Sequence, residues 1–287
     1  KSVILEEIAM YEDHPFWVLY EQSLERYYGE HPLGHRVLGT SDTVGGMDVD
    51  AMRAYFTERY SADNTTVAMA GRVDFDAMVE RLSEHCGDWP NTGTRRQYST
   101  HEPRRERFTI RKPRIARAYI LMAMPAPDIT DDRRYAASIL SQILGGGDGS
   151  RLHWALVETG QAEEAIVQFD GRDRVGEYLA FASCSPGDEA AVSERIEQEM
   201  KDFVDSLTED DLLRVRSKVA TGVTLHSELP AGRMKRLGQL WTYTGAYRTL
   251  EEELARINAV TLDDLRSLIE EFPLEPHVVG TLLPEEE

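Results

Sequence analysis

The order of hydrophobic and polar residues predicts that strands and amphipathic helices alternate over most of the chain. Segments that alternate in hydrophobicity and are rich in Ile, Val and aromatic residues indicate strands. They are 107–127 (one or two strands), 163–171, 176–187 and 277–284. Segments with a helical period, several of them with acidic first turns, indicate helices. They are 131–147, 150–160, 188–206, 208–228, 231–245 and 261–272. This mixture predicts an α+β fold.

The first hundred residues repeat part of this pattern. One helix ends before Pro15, a second ends at Gly29, a third covers 48–60, and a strand is predicted over 65–73. Their counterparts later in the chain, in the same order, are Pro230, Gly245, 261–272 and 277–284. Landmarks that recur in order at a long offset indicate a duplicated module.

The spacing of the repeat predicts that the first module is truncated. The second copy begins near Arg107, so its Asp263 lies much deeper in the module than Asp50 does in the first copy. We therefore expect residues 1–100 to be the C-terminal part of a first module and residues 101–287 to be a complete second module. The polar, turn-rich stretch 90–107 is the predicted connector.

Charge and composition limit the partners. The chain has 32 Lys and Arg against 51 Asp and Glu, a net charge of −19. Nucleic acids and anionic membranes attract a surplus of basic residues, so neither is an expected partner. No apolar run is long enough for a transmembrane helix. Cys86 and Cys184 stand far apart without neighbouring ligand residues, so we read them as free thiols. This fits a cytoplasmic protein, with a periplasmic location as the alternative.

The first helix carries an unusual pair of carboxylates. Its apolar residues recur at helical spacing and predict a buried face; they are Val3, Ile4, Ile8 and Tyr11. Glu6 and Glu7 lie at the edge of that face. A carboxylate in such a position ordinarily reaches solvent or pairs with an arginine. The pattern alone leaves their role open.

Several motifs occur in an order that resembles a known family. They are VILEE at 3–7, Asp13-x-Pro15, HPLGHRVLG at 31–39, AMRAYFTERYSADNTTVAMAG at 51–71 and LGGGDGSRL at 144–152. Together they resemble the insulinase/pitrilysin-type zinc metallopeptidases, and most closely the branch of mitochondrial processing peptidases and their bacterial relatives. The resemblance implies two similar modules, each a mainly antiparallel sheet with helices on one face. Such modules form half of a clamshell that encloses peptides.

The resemblance also implies a zinc site. In this family two His of an inverted His-x-x-Glu-His motif bind zinc, its Glu polarises water, and a Glu far downstream is the third ligand. Residue-by-residue matching places that ligand at Glu7, with Glu6 as its neighbour and a supporting family Glu before Lys1. The inverted motif does not occur in this chain. We therefore expect zinc in the intact protein, but neither a catalytic residue nor bound zinc in this chain.

The second module departs from the catalytic pattern. Its stretch 218–223, which aligns with the Glu7 segment, has no carboxylate, and this implies a non-catalytic module. Many relatives grip the substrate backbone with an Arg and a Tyr after the Gly-rich run. Val157 and Glu163 stand there instead, so the resemblance assigns no gripping residue. His31 and His35 belong to a turn with family counterparts, and we expect them to be structural.

Two further features have an ordinary structural interpretation. The Gly-rich run 144–152 lacks the Lys-Ser/Thr ending of a phosphate loop. It is a helix stop or, alternatively, a loop that faces the peptide chamber. The aromatic residues Trp154, Trp241 and Tyr243 are expected in the core or the chamber wall.

The leading hypothesis is a fragment of a zinc-dependent endopeptidase that cleaves unstructured peptides in an enclosed chamber and is inactive as truncated. The alternative within the fold is a non-catalytic scaffold or substrate-presenting subunit. An acidic protein-interaction module without any metal is a third possibility. A truncated module exposes apolar surface, so we expect self-association through residues 1–100 or pairing with a second homologous subunit.

Overall fold

The computed structural model describes residues 1–97, 101–102 and 104–285. The α-helices in this part of the chain are α1 (Ser2–Asp13), α2 (Pro15–Tyr28), α3 (Ser41–Gly46), α4 (Val49–Arg59), α5 (Phe75–Cys86), α6 (Arg134–Gly145), α7 (Glu189–Ser206), α8 (Glu209–Glu228), α9 (Pro230–Thr244), α10 (Leu250–Ala259) and α11 (Leu262–Glu271). The strands are β1 (Glu106–Lys112), β2 (Ala118–Ala126), β3 (Glu164–Gly171), β4 (Gly176–Cys184) and β5 (Val278–Pro284). Short 3₁₀ turns lie at Pro32–Gly34 and Ala62–Asn64, and a π-helical turn lies at His153–Val157.

The five strands form one sheet in the order β1-β5-β2-β4-β3. The pairs β2–β5, β2–β4 and β3–β4 are antiparallel, and only the edge pair β1–β5 is parallel. The predicted α+β fold with a mainly antiparallel sheet is therefore confirmed.

The sheet is buried on both faces, because side chains alternate along each strand. Ile120, Met122 and Met124 of β2 point into a core built with α6, α7, α8, α10 and α11. Leu121 and Ala123 point to the opposite face, which α2 covers. We expected helices on one face only. The second face is closed by a helix from the N-terminal region, and this explains why β2 and β4 are nearly continuous apolar runs.

The acidic helix starts of the second half act as caps. The side chains of Thr208, Thr249 and Thr261 each accept a hydrogen bond from the amide three residues later, and an acidic residue at that position closes the capping box. Each such cap stabilises its helix by about 1 kcal/mol. The predicted starts of α8 and α11 therefore agree with the observed starts to within one or two residues.

The strand predicted over 65–73 is not formed, and that prediction is wrong. Helix α4 appears where the repeat requires it, as the counterpart of α11, but the chain after it runs without a strand partner in the described residues. Thr65 has extended backbone angles, φ −120° and ψ 129°. A strand needs a neighbour to pair its amides and carbonyls, so this segment stays unpaired.

The N-terminal region contributes little core apart from α2. No residue of α4 or α5 is buried. The predicted boundary between residues 100 and 101 adjoins residues 98–100, which lie outside the described residues, as does residue 103 of the predicted connector. Cys86 and Cys184 are free thiols, as expected. No helix in the described part of the chain is long and apolar enough to cross a membrane.

Candidate functional site

Glu7 lies in the middle of α1, and its side chain is exposed. Its neighbour Ile8 is 3% exposed and anchors the helix. Glu6 is exposed as well. Neither carboxylate has a hydrogen bond or ion pair with any residue that the structure describes, so both are free to bind a group from outside this chain.

The buried face predicted for α1 is only half present. Ile8 is buried and Tyr11 is half-buried against Trp17, with ring centroids 5.2 Å apart. Val3 and Ile4 are 73% and 41% exposed, so the prediction is wrong for the first turn. Helix α1 contacts α2 and α3, and Lys1 Nζ donates a hydrogen bond to the Gly45 carbonyl of α3. The side chains of Val3 and Ile4 nevertheless remain exposed beside these contacts.

The donors in this chain do not fit a catalytic zinc ion by themselves. Catalytic zinc takes three protein ligands and keeps one position open for water. Within residues 1–97, 101–102 and 104–285, no group of three or more His, Cys, Asp or Glu is placed to hold a metal. Glu7 is a single carboxylate on an exposed helix surface. Any zinc site that uses it needs its other ligands from elsewhere.

A cluster of three histidines surrounds two buried tyrosines, and sequence reasoning missed it. The ring of His101 lies 4.7 Å from that of Tyr28 and 5.8 Å from that of His31. Tyr27 contacts both His101 and His277. Among the described residues, Nε2 of His101 and Nδ1 of His277 have no hydrogen-bond partner. The signal was weak, because the three residues are far apart in the sequence.

His31 has a local structural role, as expected. Its Nδ1 accepts a hydrogen bond from the Leu33 amide at 3.2 Å and so caps the 3₁₀ turn Pro32–Gly34. Burial lowers the pKa of the His31 imidazole. The ring is therefore neutral near pH 7 and can accept this bond.

The histidine cluster predicts that acid destabilises the protein. Burial, together with His31 and His277, lowers the pKa of His101 to about 4 from 6.5. Between these values the unfolded chain binds more protons than the folded one, so stability falls as pH falls through this window. Because His101 is half exposed, the screened effect is about 1–2 kcal/mol. Urea unfolding at pH 7.5 and pH 4.5 measures it.

A matched pair of variants isolates the contribution of His101. His101→Gln is expected to lose less stability on acidification than the wild type. His85→Gln, which removes an exposed histidine on α5, is expected to behave like the wild type. Equal acid sensitivity of the two variants would show that His101 does not carry the effect.

A buried charge network joins α2 to the β3–β4 hairpin. Glu177 is fully buried at the start of β4 and accepts hydrogen bonds from Nε of Arg172, at 2.6 Å, and from the Tyr28 hydroxyl. Arg172 also donates to the Tyr20 hydroxyl at 3.0 Å. Burial raises the pKa of Glu177, and Arg172 and Tyr28 oppose that shift. Because every member has a partner, the network fixes how the N-terminal helices sit on the sheet.

The Gly-rich run ends α6, as predicted, but its first glycine has a second role. A Cβ on Gly145 would lie 2.3 Å from the Val167 amide nitrogen. Helix α6 therefore approaches β3 so closely that only glycine fits at position 145. Gly147 and Gly149 have φ of +84° and +80°, angles that glycine adopts without strain. These observations favour the helix-stop interpretation.

The segment after the Gly-rich run is a π-helical turn rather than the predicted short α-helix. Trp154 within it is 59% exposed, Trp241 on α9 is 49% exposed and Tyr243 is half-buried, so neither tryptophan lies in the core. The alternative, that these aromatic residues line the chamber wall, stays a prediction. Glu163, which stands where relatives carry a substrate-gripping residue, forms an ion pair with Arg117. Val157 packs at the edge of the core.

The fold places this chain in a class of known structures. A protease from Helicobacter pylori superposes with a TM-score of 0.86 over 99% of this chain and 71% of that chain, at 16% identity. A chain of complex III2 from Candida albicans superposes with a TM-score of 0.90 over 99% of this chain and 70% of that chain, at 14% identity. At these identities the similarity establishes a shared fold and no more.

Sequence comparison identifies the family. The profile described as "Peptidase M16 inactive domain" matches residues 46–219, which is more than half of the chain. The chain belongs to the peptidase M16 family. An uncharacterized zinc protease of Mycobacterium leprae is 30% identical over 278 residues, which are 93% of this chain and 62% of that relative. The chain thus spans less than two thirds of that relative's length. The resemblance to insulinase/pitrilysin-type metallopeptidases is confirmed.

Proposed function

We propose that this chain is part of a zinc-dependent endopeptidase that cleaves unstructured peptides in an enclosed chamber. The observation that carries the proposal is membership of the M16 family, together with 30% identity to a protein named as a zinc protease. The share of that relative's length that the chain covers, 62%, agrees with a longer active protein.

In this proposal Glu7 is the third zinc ligand. Its exposed, unpaired carboxylate on α1 supports this role, since a ligand must be free to meet the metal. The two His and the Glu that polarises water would come from an inverted motif upstream of this chain. When zinc is bound, it lowers the pKa of its water and polarises the scissile carbonyl.

Metal analysis and peptide cleavage, measured on this chain and on a longer protein that carries the upstream motif, test the proposal. We expect the 287-residue chain to bind no stoichiometric zinc and to cleave no peptide, because one carboxylate cannot hold the ion against water. The longer protein should bind one zinc and cleave an unstructured peptide. Stoichiometric zinc at Glu7 in the 287-residue chain would contradict the assignment.

A non-catalytic subunit of the same fold is the second candidate. Two observations favour it: the matching family profile is described as an inactive domain, and one fold neighbour is a chain of complex III2. The same experiment separates the candidates. A longer protein that binds no zinc and cleaves nothing would favour a scaffold or substrate-presenting role.

The N-terminal region is also expected to mediate association. Large apolar side chains are exposed along residues 47–89; they include Met52, Tyr55, Phe56, Tyr60, Val67, Val73 and Phe75. A solvated apolar surface of this kind favours association. We expect the chain to sediment as a dimer or larger species at tens of micromolar, and Phe56→Glu/Phe75→Glu to weaken association by at least about tenfold.

A control variant makes the sedimentation result specific. Leu213→Glu changes an exposed apolar residue on α8, outside the N-terminal region. It should associate like the wild type. A wild-type chain that remains monomeric at high concentration would show that residues 1–100 do not drive self-association.

A further inference from the structure

A cavity of about 370 Å³ lies between the end of α8, one side of α9 and the start of α10, and we call it the α9 cavity. Its lining combines polar with apolar side chains; they include Ser227, Arg233, Arg236, Leu237, Leu240 and Leu250. Apart from Ala70, all of its lining residues lie within 227–251. Ligand pockets in proteins usually measure about 300–1,000 Å³, so this cavity has room for a small group rather than for a long segment.

Two arginines of α9 in this cavity have no carboxylate partner. Arg233 and Arg236 are three residues apart, so they lie on the same side of the helix. Nη2 of Arg236 donates to the Arg248 carbonyl at 3.1 Å, whereas its Nη1 is buried and has no hydrogen-bond partner in the described part of the chain. Nε of Arg233 donates to the Ser227 carbonyl. Neither guanidinium forms an ion pair with a described residue. A buried donor without an acceptor is costly and indicates a place for a ligand or a water.

The other charged groups that line the cavity leave this surplus in place. Arg248 is already compensated, since it lies 3.3 Å from a carboxylate oxygen of Asp132 and 3.9 Å from one of Glu253. Glu251 is the acidic residue among the lining residues that the structure describes, and it forms no ion pair with either arginine of α9. Two uncompensated positive charges therefore face one negative charge.

The charge of the whole chain limits the ligand to a single carboxylate. With a net charge of −19, the chain repels polyanions such as nucleic acids and acidic peptides. One carboxylate inside the cavity responds mainly to the lining charges, because exposed charges are screened beyond about 8 Å at physiological salt. Guanidinium groups bind carboxylates through paired hydrogen bonds, and the leucines favour an apolar neighbour. The last residue of a peptide that ends in an apolar side chain supplies both features.

We propose that the α9 cavity binds the C-terminal residue of a peptide, with its carboxylate on Arg233 and Arg236 and its apolar side chain against Leu237 and Leu240. The choice of a peptide rests on the proposed function, and the inference names the end of the peptide that the chain holds. Binding requires neither zinc nor cleavage. Its failure would therefore leave the peptidase proposal standing, and a failed peptidase assay would leave this one standing.

Isothermal titration calorimetry on the 287-residue chain tests the proposal. The probe is N-acetyl-Ala-Ala-Leu with a free C-terminus, and the matched control is the same peptide with a C-terminal amide. We expect the acid to bind at least about tenfold more tightly than the amide, because the amide has no charge and cannot accept paired hydrogen bonds. Equal affinities of the two peptides, or no binding of the acid, would overturn the proposal.

Two competitors identify the source of the carboxylate. N-acetyl-leucine has the same carboxylate and side chain but lacks the preceding residues, and inorganic phosphate is an anion without an apolar part. At matched ionic strength both should bind more weakly than the acid peptide, by about threefold or more. Equal binding of N-acetyl-leucine would identify a free small acid as the ligand, and equal binding of phosphate would show a general anion site. Either result would overturn the assignment to a peptide C-terminus.

Three variants and a control locate the site. Arg233→Gln and Arg236→Gln should each weaken binding of the acid peptide by at least about tenfold and leave binding of the amide unchanged. Glu251→Gln should tighten binding of the acid, because it removes the negative charge from the lining. Arg53→Gln, at an exposed position on α4 outside the cavity, should bind like the wild type. Unchanged affinity in both cavity arginine variants, or weaker binding in Glu251→Gln, would contradict the assignment.

Chemical modification of the wild-type chain covers the case in which an arginine variant does not fold. Phenylglyoxal modifies accessible arginines, and peptide mass spectrometry locates them. The acid peptide at saturation should slow modification of Arg233 at least about tenfold, as mass action requires, and leave that of Arg53 unchanged. The amide peptide should protect neither. Equal modification of Arg233 with and without the acid peptide would show that the carboxylate does not bind there.

Discussion

Replacing Glu177 with Ala should lower the free energy of unfolding by about 2–4 kcal/mol, because it removes the nearest carboxylate from the partly buried Arg172 and leaves Arg172 with the more distant Asp170. Arg172 donates to Glu177 at 2.6 Å, and its side chain is 28% exposed. The Tyr28 hydroxyl loses its acceptor at the same time. Urea unfolding, with the slope of each transition compared, measures the change.

Three control variants separate the charge network from simple truncation. Glu177→Gln keeps an acceptor for Tyr28 and Arg172 and should cost less than Glu177→Ala. Glu164→Ala, at the exposed start of β3, should change stability by less than about 0.5 kcal/mol. The double variant Glu177→Ala/Arg172→Met also removes the poorly compensated charge of Arg172 and should be more stable than Glu177→Ala. A loss below about 1 kcal/mol in Glu177→Ala would show that the network contributes little.

The sheet could be predicted from the sequence because its signals are local. The strands β2 and β4 are long apolar runs, and the capping threonines mark α8, α10 and α11. Each of these features is readable in a short window. The strand register and the burial of both sheet faces cannot be predicted from a short window of sequence. Burial of the second face depends on α2, which covers a sheet that begins about 80 residues later in the chain.

The failures have physical causes. The segment 65–73 has the composition of a strand, but composition cannot supply a neighbouring strand, so it remains unpaired. Val3 and Ile4 follow a helical period, yet the period does not say whether anything packs against it. In both cases the local sequence has the preference that was predicted, for a strand or for a helix face, but the described part of the chain supplies no partner strand for the first and no element that buries the second.

The polar side-chain clusters outside the family motif could not be predicted from the sequence, for a different reason. Glu177 meets Tyr28 across 149 residues, and His101 contacts Tyr28 and His31 from a distant part of the sequence. Such clusters exist only once the chain has folded. Glu7 was found from the sequence because its evidence was a family motif, and its role as a ligand remains a prediction.

The last prediction concerns that role. In a longer protein that carries the inverted motif, Glu7→Gln should lower zinc affinity and peptidase activity together by at least about 100-fold. Loss of an outer-sphere partner alone costs 10–100-fold, and a direct ligand should cost no less. Metal analysis after dialysis and a peptide-cleavage assay measure the two quantities.

Glu6→Gln is the matched control, since Glu6 is the adjacent exposed carboxylate on the same helix. Successive residues of a helix point about 100° apart, so one zinc ion at Glu7 does not require Glu6. Glu6→Gln should therefore keep zinc and activity near wild-type values. If Glu6→Gln loses zinc and Glu7→Gln does not, the ligand is Glu6. If neither variant loses zinc, the third ligand lies outside α1.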